Sequence, residues 1–509
     1  MITVEQEAAG NLRAAEPEQN VAENLRSVAK HSAIYTTAEI LKRGIGFIMI
    51  PLYTHYLAPA DYGLIEILNL IVEIMGIIVG VRILSAETRF YHIYEPYEDK
   101  REVYTTALLF SMMLSVVTVS GLWFAAPAIA QLTLGSEAYA PHCRLMILCF
   151  GIQNVFLVAE NDLIVRKKSL FYALLCIGLL ILSLSLNIVL LSVFHLGAWA
   201  ILWSIFITKV ANLAVVPATL RGDRLRFSAE KFIKMLKYGL PLVPASLAMF
   251  ALHYNDRFFV QRYCSLTDLG IYSLGYKFGM IIAMLVTAPF NRAWGTHAFE
   301  ISNRPEAPTV YARMLTYLSC LLALIALCIS VFIDDFIGIL APPSYGKAAA
   351  LVPLIALAYV LVGLHGYVGL GIMLTFRTHF VAYIHIPSAL LNVGLNIVLI
   401  RQYGIWGAAI STLVTFALML AVTFWVAQRL HPIPYEYKRL GVLTAVSFAL
   451  FAAARLASGS SILVPLYHAG VVLAFPALLL LLKFFTKEEL SAARRGLVRV
   501  APWLVRTAA

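Results

Sequence analysis

Within long apolar runs of this sequence stand side chains that are costly to place in hydrocarbon. They are Lys42, Arg43, Arg82, Arg144, Lys209, Arg257, Lys277 and Arg292, with the acids Glu39, Glu66, Glu73 and Asp256. An ionised group at the centre of a bilayer costs about 2.5–3.5 kcal/mol even on the lenient insertion scale. Such residues face a cavity, a partner or an ion. Cations that meet in water bind phosphate well, Arg through its planar fork and Lys as a point charge. Carboxylates at the same depth hold a proton or sodium, or hydrogen-bond locally.

Depth sorts these residues. At 1.5 Å per residue, Lys42 and Arg43 lie roughly 12–15 Å into the first apolar run, Lys209 roughly 18 Å into the sixth and Lys277 roughly 10 Å into the eighth. Arg82, Arg144, Arg257 and Arg292 fall nearer the ends of their runs, where an interfacial anchor is an equal reading. We take Arg43, Lys209 and Lys277 as the core of a cationic site, helped by Arg82, Arg257 and Arg292. Glu39 precedes Arg43 by four residues, the spacing of an ion pair on one helix face. Glu66 and Glu73 share a face, and Arg82 points nearly the opposite way. Glu73, Glu39 and Asp256 are the candidates for ion coupling; for Glu73 a local hydrogen-bonded role stands beside that one.

Other residues read more plainly. His253, His365 and His385 are expected as packed, hydrogen-bonded histidines rather than ligands. Tyr53, Tyr56, Tyr272 and Tyr276 fit either sugar stacking or the aromatic belt of the membrane interface. The cysteines Cys143, Cys149, Cys176, Cys264, Cys320 and Cys328 form no Cys-x-x-Cys pair, so neither a disulfide framework nor a metal site is expected. Nothing in the sequence calls for a cofactor, and no Gly-rich phosphate loop occurs.

The elements that carry these residues are membrane helices. Hydrophobic residues make up 61% of the 509 and charged ones 13%, against about 25% charged in soluble proteins. Each span needs about 20 apolar residues, and fourteen runs of that kind can be marked, the first at 33–57 and the last at 462–485. The second and third are placed at 62–86 and 104–126. With the amino terminus inside, the connections on that side carry eighteen Lys and Arg and those on the other side four (Arg262, Lys347, Arg401 and Arg455). This bias never inverts along the chain, as the positive-inside rule demands. It also accounts for the net charge of +11, so a nucleic-acid partner is not expected.

The two halves match each other. Asp61-Tyr62-Gly63 returns as Asp268-Leu269-Gly270, Asn187-Ile188-Val189-Leu190 as Asn396-Ile397-Val398-Leu399, and Gly197-Ala198-Trp199 as Gly404-Ile405-Trp406, at offsets of 207, 209 and 207. Six spans per set is an even number, so the repeat is parallel. The predicted fold is an all-α integral membrane protein of about 14 transmembrane helices: two six-helix lobes in parallel pseudo-repeat plus two C-terminal helices. The boundaries are a disordered cytoplasmic tail at 1–32, lobes at 33–220 and 238–430 joined by a basic loop at 221–237, two further spans at 431–485 and a basic tail at 486–509. No cleavable signal peptide is expected, since the first thirty residues are polar. The pairs Gly76/Gly80 and Gly275/Gly279 suit close helix packing. Pro51, Pro289, Pro353 and Pro387 mark bends or hinges.

Residues 41–91 carry Lys42-Arg43-Gly44, Pro51-Leu52-Tyr53, Leu57-Ala58-Pro59-Ala60-Asp61-Tyr62-Gly63 and Ala86-Glu87-Thr88-Arg89. The second half adds Tyr238-Gly239-Leu240-Pro241, Asn255-Asp256-Arg257 and Leu269-Gly270-Ile271-Tyr272. In order and spacing this resembles the polysaccharide-transporter branch of the multidrug/oligosaccharidyl-lipid/polysaccharide exporter superfamily, over roughly residues 33–430. The resemblance implies a flippase for an undecaprenyl-diphosphate-linked oligosaccharide in a bacterial inner membrane, serving O-antigen, capsule or exopolysaccharide synthesis. Membrane lipids, a polysaccharide polymerase and chain-length machinery are the partners it implies. The cationic residues would then shelter the diphosphate in a wet cleft reached by alternating access. An exporter of another cargo is the rival reading, and eight intramembrane cations against four acids argue against a cationic drug. A polytopic polymerase or ligase is the remaining one, but the outer loops are too short for the catalytic loop it needs.

Overall fold

The computed structural model describes residues 46–80, 82–220, 225–457 and 463–491. The expectations for the tail 1–32, for Glu39, Lys42 and Arg43, for most of the first span and for most of the tail 486–509 lie outside them. All regular secondary structure among the described residues is helical. Thirteen of these helical stretches are long and apolar enough to cross a membrane. They answer one for one to the second through fourteenth runs marked in the sequence.

Contacts divide the chain into two compact units, one of residues 46–57 and 68–247 among those described, the other of 58–67 and 248–491. Helices α1 (Ile50–Tyr56), α2 (Pro59–Val79), α3 (Ile83–Ile93), α4 (Tyr97–Leu134), α5 (Ala140–Val165), α6 (Ser169–Ser192), α7 (Ala198–Asn212), α8 (Val215–Leu220) and α9 (Ala229–Gly239) come first. Then follow α10 (Val243–Tyr263), α11 (Leu266–Ile282), α12 (Ala288–Glu300), α13 (Ala307–Leu340), α14 (Lys347–Val368) and α15 (Leu370–Leu374). Helices α16 (His379–Tyr403), α17 (Ile405–Leu430), α18 (Tyr437–Ala454) and α19 (Leu463–Leu481) complete the chain.

Local signals account for many boundaries. Ser265 caps α11 by accepting from the amide of Asp268 at 3.0 Å, while its hydroxyl donates to the Asp268 carboxylate at 2.7 Å. This resembles a capping box, with the reciprocal bond made to the cap's hydroxyl rather than to its backbone N–H. A π-helical turn at Ala283–Thr287 and then Pro289 separate α11 from α12. The surplus residue and the missing proline N–H both loosen the ladder there. Gly197 opens α7 at φ 57°, ψ −135° and Gly404 opens α17 at φ 58°, ψ −135°. Only glycine enters that region readily, so the repeat read from letters is also a repeat of backbone. Asn187 and Asn396 match as well: both are buried, and each side-chain amide donates to the residue four before it, Ser183 or Asn392.

Some boundaries differ from the sequence reading. The second span, placed at 62–86, breaks between Val79 and Ile83. Arg82 therefore stands in a left-handed turn outside the span, not inside it. The third, placed at 104–126, extends back to Tyr97, so Arg101 is a helix residue rather than a loop charge. The basic loop 221–237 contains most of α9, whose first turn is capped by Ser228 accepting from the Lys231 amide at 3.3 Å. Charge hid the helix: α9 buries Lys231, Met235 and Gly239 and exposes Glu230, Lys234 and Lys237.

The glycine pairs divide. A Cβ at Gly279 would come within 2.5 Å of Ile355 and one at Gly275 within 3.0 Å of the Ala348 carbonyl, so α11 lies close on α14 as expected. Gly76 has open space around it. The tightest approach is one the repeat itself makes, within the second unit. A Cβ on Gly63 would stand 2.1 Å from the Leu266 carbonyl, and one on Gly270 1.9 Å from the Pro59 carbonyl. The repeated Asp-x-Gly segments thus meet backbone to backbone.

Candidate functional site

That contact brings the start of α2 against α11 and sets a cation beside an acid. Lys277 Nζ lies 2.9 Å from Glu66 Oε1 and donates to the Tyr62 hydroxyl at 2.6 Å. The Tyr62 ring also lies under the ammonium, 4.7 Å from its centroid. Some 29% of the Lys277 side chain stays accessible, against 16% for Glu66. The pair is partly accessible.

A second ion pair lies deeper. Arg257 Nη1 donates to Asp256 Oδ1 at 3.2 Å, and the two side chains are only 6% and 4% exposed. Tyr272 donates its hydroxyl to the other Asp256 oxygen at 2.5 Å, and the Arg257 amide donates to Oδ1 at 2.9 Å. The guanidinium lies over Tyr276 at 4.2 Å and near Tyr254 at 5.1 Å, a cation–π setting. Its Nε has no partner. Tyr272 and Tyr276 are almost completely buried. They dress ionic groups, and neither the belt nor the stacking role fits them.

Beside Asp256, amides and hydroxyls form a chain across α10, α16 and α17. Asn396 donates to Asn255 at 2.7 Å and to Asn392 at 3.0 Å, Asn392 donates to Thr415 at 3.0 Å, and Ser411 donates to Asn396. Every member is buried. In a low-dielectric interior such a network holds only when its members find partners, and here each has at least one, on three helices, with Asn255 Nδ2 left without one among the described residues.

The other candidates stand apart from this cluster. Lys209 is half-buried on α7 and Glu73 exposed on α2, both residues of the first unit, and each has a polar or electrostatic partner. Arg82 and Arg292 are exposed. Arg144 lies 5.6 Å from the Trp123 ring centroid, as an anchoring residue does. Of the cationic residues singled out, Lys277 and Arg257 are thus brought into one ionic cluster, with Glu66 and Asp256 as partners.

The first unit holds a network that charge counting assigned to loops. Arg101 pairs with Asp162 at 2.5 Å, donates to the Thr219 carbonyl at 2.8 Å and covers the Tyr104 ring at 4.3 Å. Lys231 binds Asp99 at 2.6 Å and also Glu102. These contacts tie α4 to α5, α8 and α9. Close by, Glu87 on α3 is 1% exposed and its Oε2 has no partner. Burial pushes its carboxyl well above the usual range, and the Asp162 charge adds to that push. Its motif, Ala86-Glu87-Thr88-Arg89, was noted in the sequence; its burial could not be.

Known proteins agree with this architecture. The chain superposes on a structure described as lipid II flippase MurJ in an inward closed conformation, with a TM-score of 0.69 at 12% identity, covering 88% of this chain and 98% of that one. An inward-facing multidrug-resistance MATE family transporter gives 0.60 at 15% identity, over 77% and 94%. At such identities the likeness is one of fold. Among sequences, the chain is 25% identical to the succinoglycan biosynthesis transport protein ExoT of Rhizobium meliloti over 47% of each chain. It is 21% identical to a probable low-salt glycan biosynthesis flippase, Agl15, of Haloferax volcanii over 50% of this chain and 54% of that one. The match thus spans about half the length of each. A family described as polysaccharide biosynthesis protein matches residues 28–294. That is more than half of the chain, in the stretch where the repeated segments and the first ionic pair begin, and this multi-pass membrane protein belongs to that family.

Proposed function

We propose that the protein is a flippase, not an enzyme, and that it moves an undecaprenyl-diphosphate-linked oligosaccharide outward across a bacterial inner membrane by alternating access. Both termini are then cytoplasmic, as the distribution of Lys and Arg requires. The observation that carries the reading is the Lys277–Glu66–Tyr62 group. It is an ammonium at membrane depth, 29% accessible, held by a carboxylate and a hydroxyl that a phosphate could replace. Bare diphosphate in hydrocarbon is prohibitively costly, so a cargo of this class needs such groups along its path. Arg43, Lys209, Arg82, Arg257 and Arg292 are proposed to assist. The names of the relatives, a succinoglycan transport protein and a glycan flippase, support the cargo class.

Outward movement of an anion gains about 2.3 kcal/mol per charge per 100 mV across a membrane that is negative inside. Ion coupling is therefore an addition, with Asp256, Glu73 and Glu39 as its candidate carriers. Deletion of the gene should leave lipid-linked repeat units on the cytoplasmic side, read by lipid extraction and mass spectrometry. Unchanged levels and unchanged polymer export in the deletion strain overturn the reading.

A further inference from the structure

The second unit contains a cavity of about 300 Å³ whose wall includes Asn291, Trp294, His365, Tyr367, His385 and Thr423. Two imidazoles meet on it. His365 Nε2 lies 3.1 Å from His385 Nε2, and His365 Nδ1 lies 3.0 Å from Thr423 Oγ1. At that separation one proton sits between the rings, and Thr423 can give to or take from the far nitrogen. The line Thr423–His365–His385 is therefore a short proton path with two equivalent directions.

Trp294 supplies a second, independent observation. It is 7% exposed, and its indole N–H has no partner. The ring cannot turn away, since it stacks on Tyr367 at 5.9 Å and Phe290 at 6.1 Å and meets Tyr311 edge-on at 6.1 Å. An orphaned buried donor is costly and calls for an explanation. Here the fold holds the ring in a cavity wall, with the unpartnered N–H itself buried.

Among the described residues, no Asp, Glu, Lys or Arg lines the cavity. Around it, α10 carries His253 and, one turn further, the Asp256–Arg257 ion pair. Helix α12 carries Arg292, His297 and Glu300, the turn before α16 carries Arg377, and α16 itself carries His379. The two acids on these helices, Asp256 and Glu300, are paired with other groups and do not line the cavity. A proton added to the histidines meets no carboxylate on the cavity wall, so an anion that enters with it supplies the counter-charge. A metal ion fits less well, because among the described residues no third ligand of metal-binding type joins the two rings.

We propose that this cavity is an anion subsite charged by a proton: the His365–His385 pair takes up one proton as a phosphate or diphosphate group binds, and Trp294 Nε1 donates to that group. The inference rests on the flippase reading for its choice of ligand. It adds that headgroup binding and proton uptake are one event.

The test uses the full chain in detergent and calorimetry with P1,P2-dimethyl diphosphate, whose own charges do not titrate near neutrality. Buffers of different ionisation enthalpy count the protons. Binding should take up close to one proton, and affinity should fall about ten-fold per pH unit above the pair's own titration. His365→Gln and His385→Gln should each remove that slope. Trp294→Phe keeps the stack and should weaken binding about ten-fold with the slope intact. Absence of diester binding, or proton-linked binding that survives in the double His→Gln variant, overturns the proposal. A parallel arm with a polyprenyl-diphosphate oligosaccharide separates the two readings. Proton-linked binding of the soluble diester without binding of the lipid-linked compound supports the subsite and removes the proposed cargo.

Discussion

Lys277 on α11 and Glu66 on α2 are 211 positions apart in the sequence and 2.9 Å apart in the structure. Neither is fully solvated, so losing one partner should cost more than losing both. Lys277→Ala leaves a carboxylate with little water, and a drop of about 1–3 kcal/mol in stability is expected, less than for a fully buried pair because the lysine keeps some exposure. The double change Lys277→Ala with Glu66→Ala should recover part of it. Thermal unfolding of the four proteins measures the difference, and export should be lost in both variants that lack Lys277.

Arg101 offers the opposite case, a pair with a scaffolding role. Arg101→Ala leaves the wholly buried Asp162 with only Arg166, at 3.3 Å, and should cost about 2–4 kcal/mol, less than removal of a sole partner. Protein abundance in the membrane should fall with it. Export per inserted molecule should stay near the parent's, which separates this site from Lys277.

At Arg82 the backbone is left-handed, φ 54° and ψ 30°. A non-glycine residue there gives up about 1–2 kcal/mol. Arg82→Gly should raise the unfolding temperature by relieving it, while Arg82→Ala should not. If the side chain serves the cargo, export falls in both. Unchanged export in both would take Arg82 off the proposed path.

Glu87 gives a pH dependence of definite sign. Its carboxyl is raised by burial, so the folded protein keeps that proton to higher pH than the unfolded chain does. Its contribution is favourable at pH below the ordinary carboxylate value and is lost as pH rises through the folded value. Glu87→Gln should flatten this part of the stability–pH profile and stabilise the protein at neutral pH. A profile that keeps its slope in the variant would contradict the assignment.

Glycine substitutions should separate by position. Gly270→Ala forces a Cβ against the Pro59 carbonyl, and Gly63→Ala against that of Leu266; each should cost about 1–3 kcal/mol or more. Gly76→Ala meets open space and should gain about 0.5–1 kcal/mol of helix propensity. Thermal unfolding in detergent ranks the three.

Hydropathy, the side on which Lys and Arg collect, and the recurrence of short segments were enough to establish helical spans, their order and their repetition. The reason is that lipid imposes a one-dimensional rule: a segment either satisfies its own backbone over about 20 apolar residues or it does not cross. The repeat went further, because glycine at 197 and 404 betrays a backbone that other residues avoid. Which charges pair was another matter. Glu66 was assigned to the same helix face as Glu73, yet its partner is Lys277, and Arg257 turned out to be held by its own neighbour Asp256. His365 and His385, each read as an isolated packed residue, touch. These contacts depend on how each helix is rotated about its axis and on how closely Gly63 lets α2 approach α11. Both are properties of packing in three dimensions, and spacing along one chain carries neither.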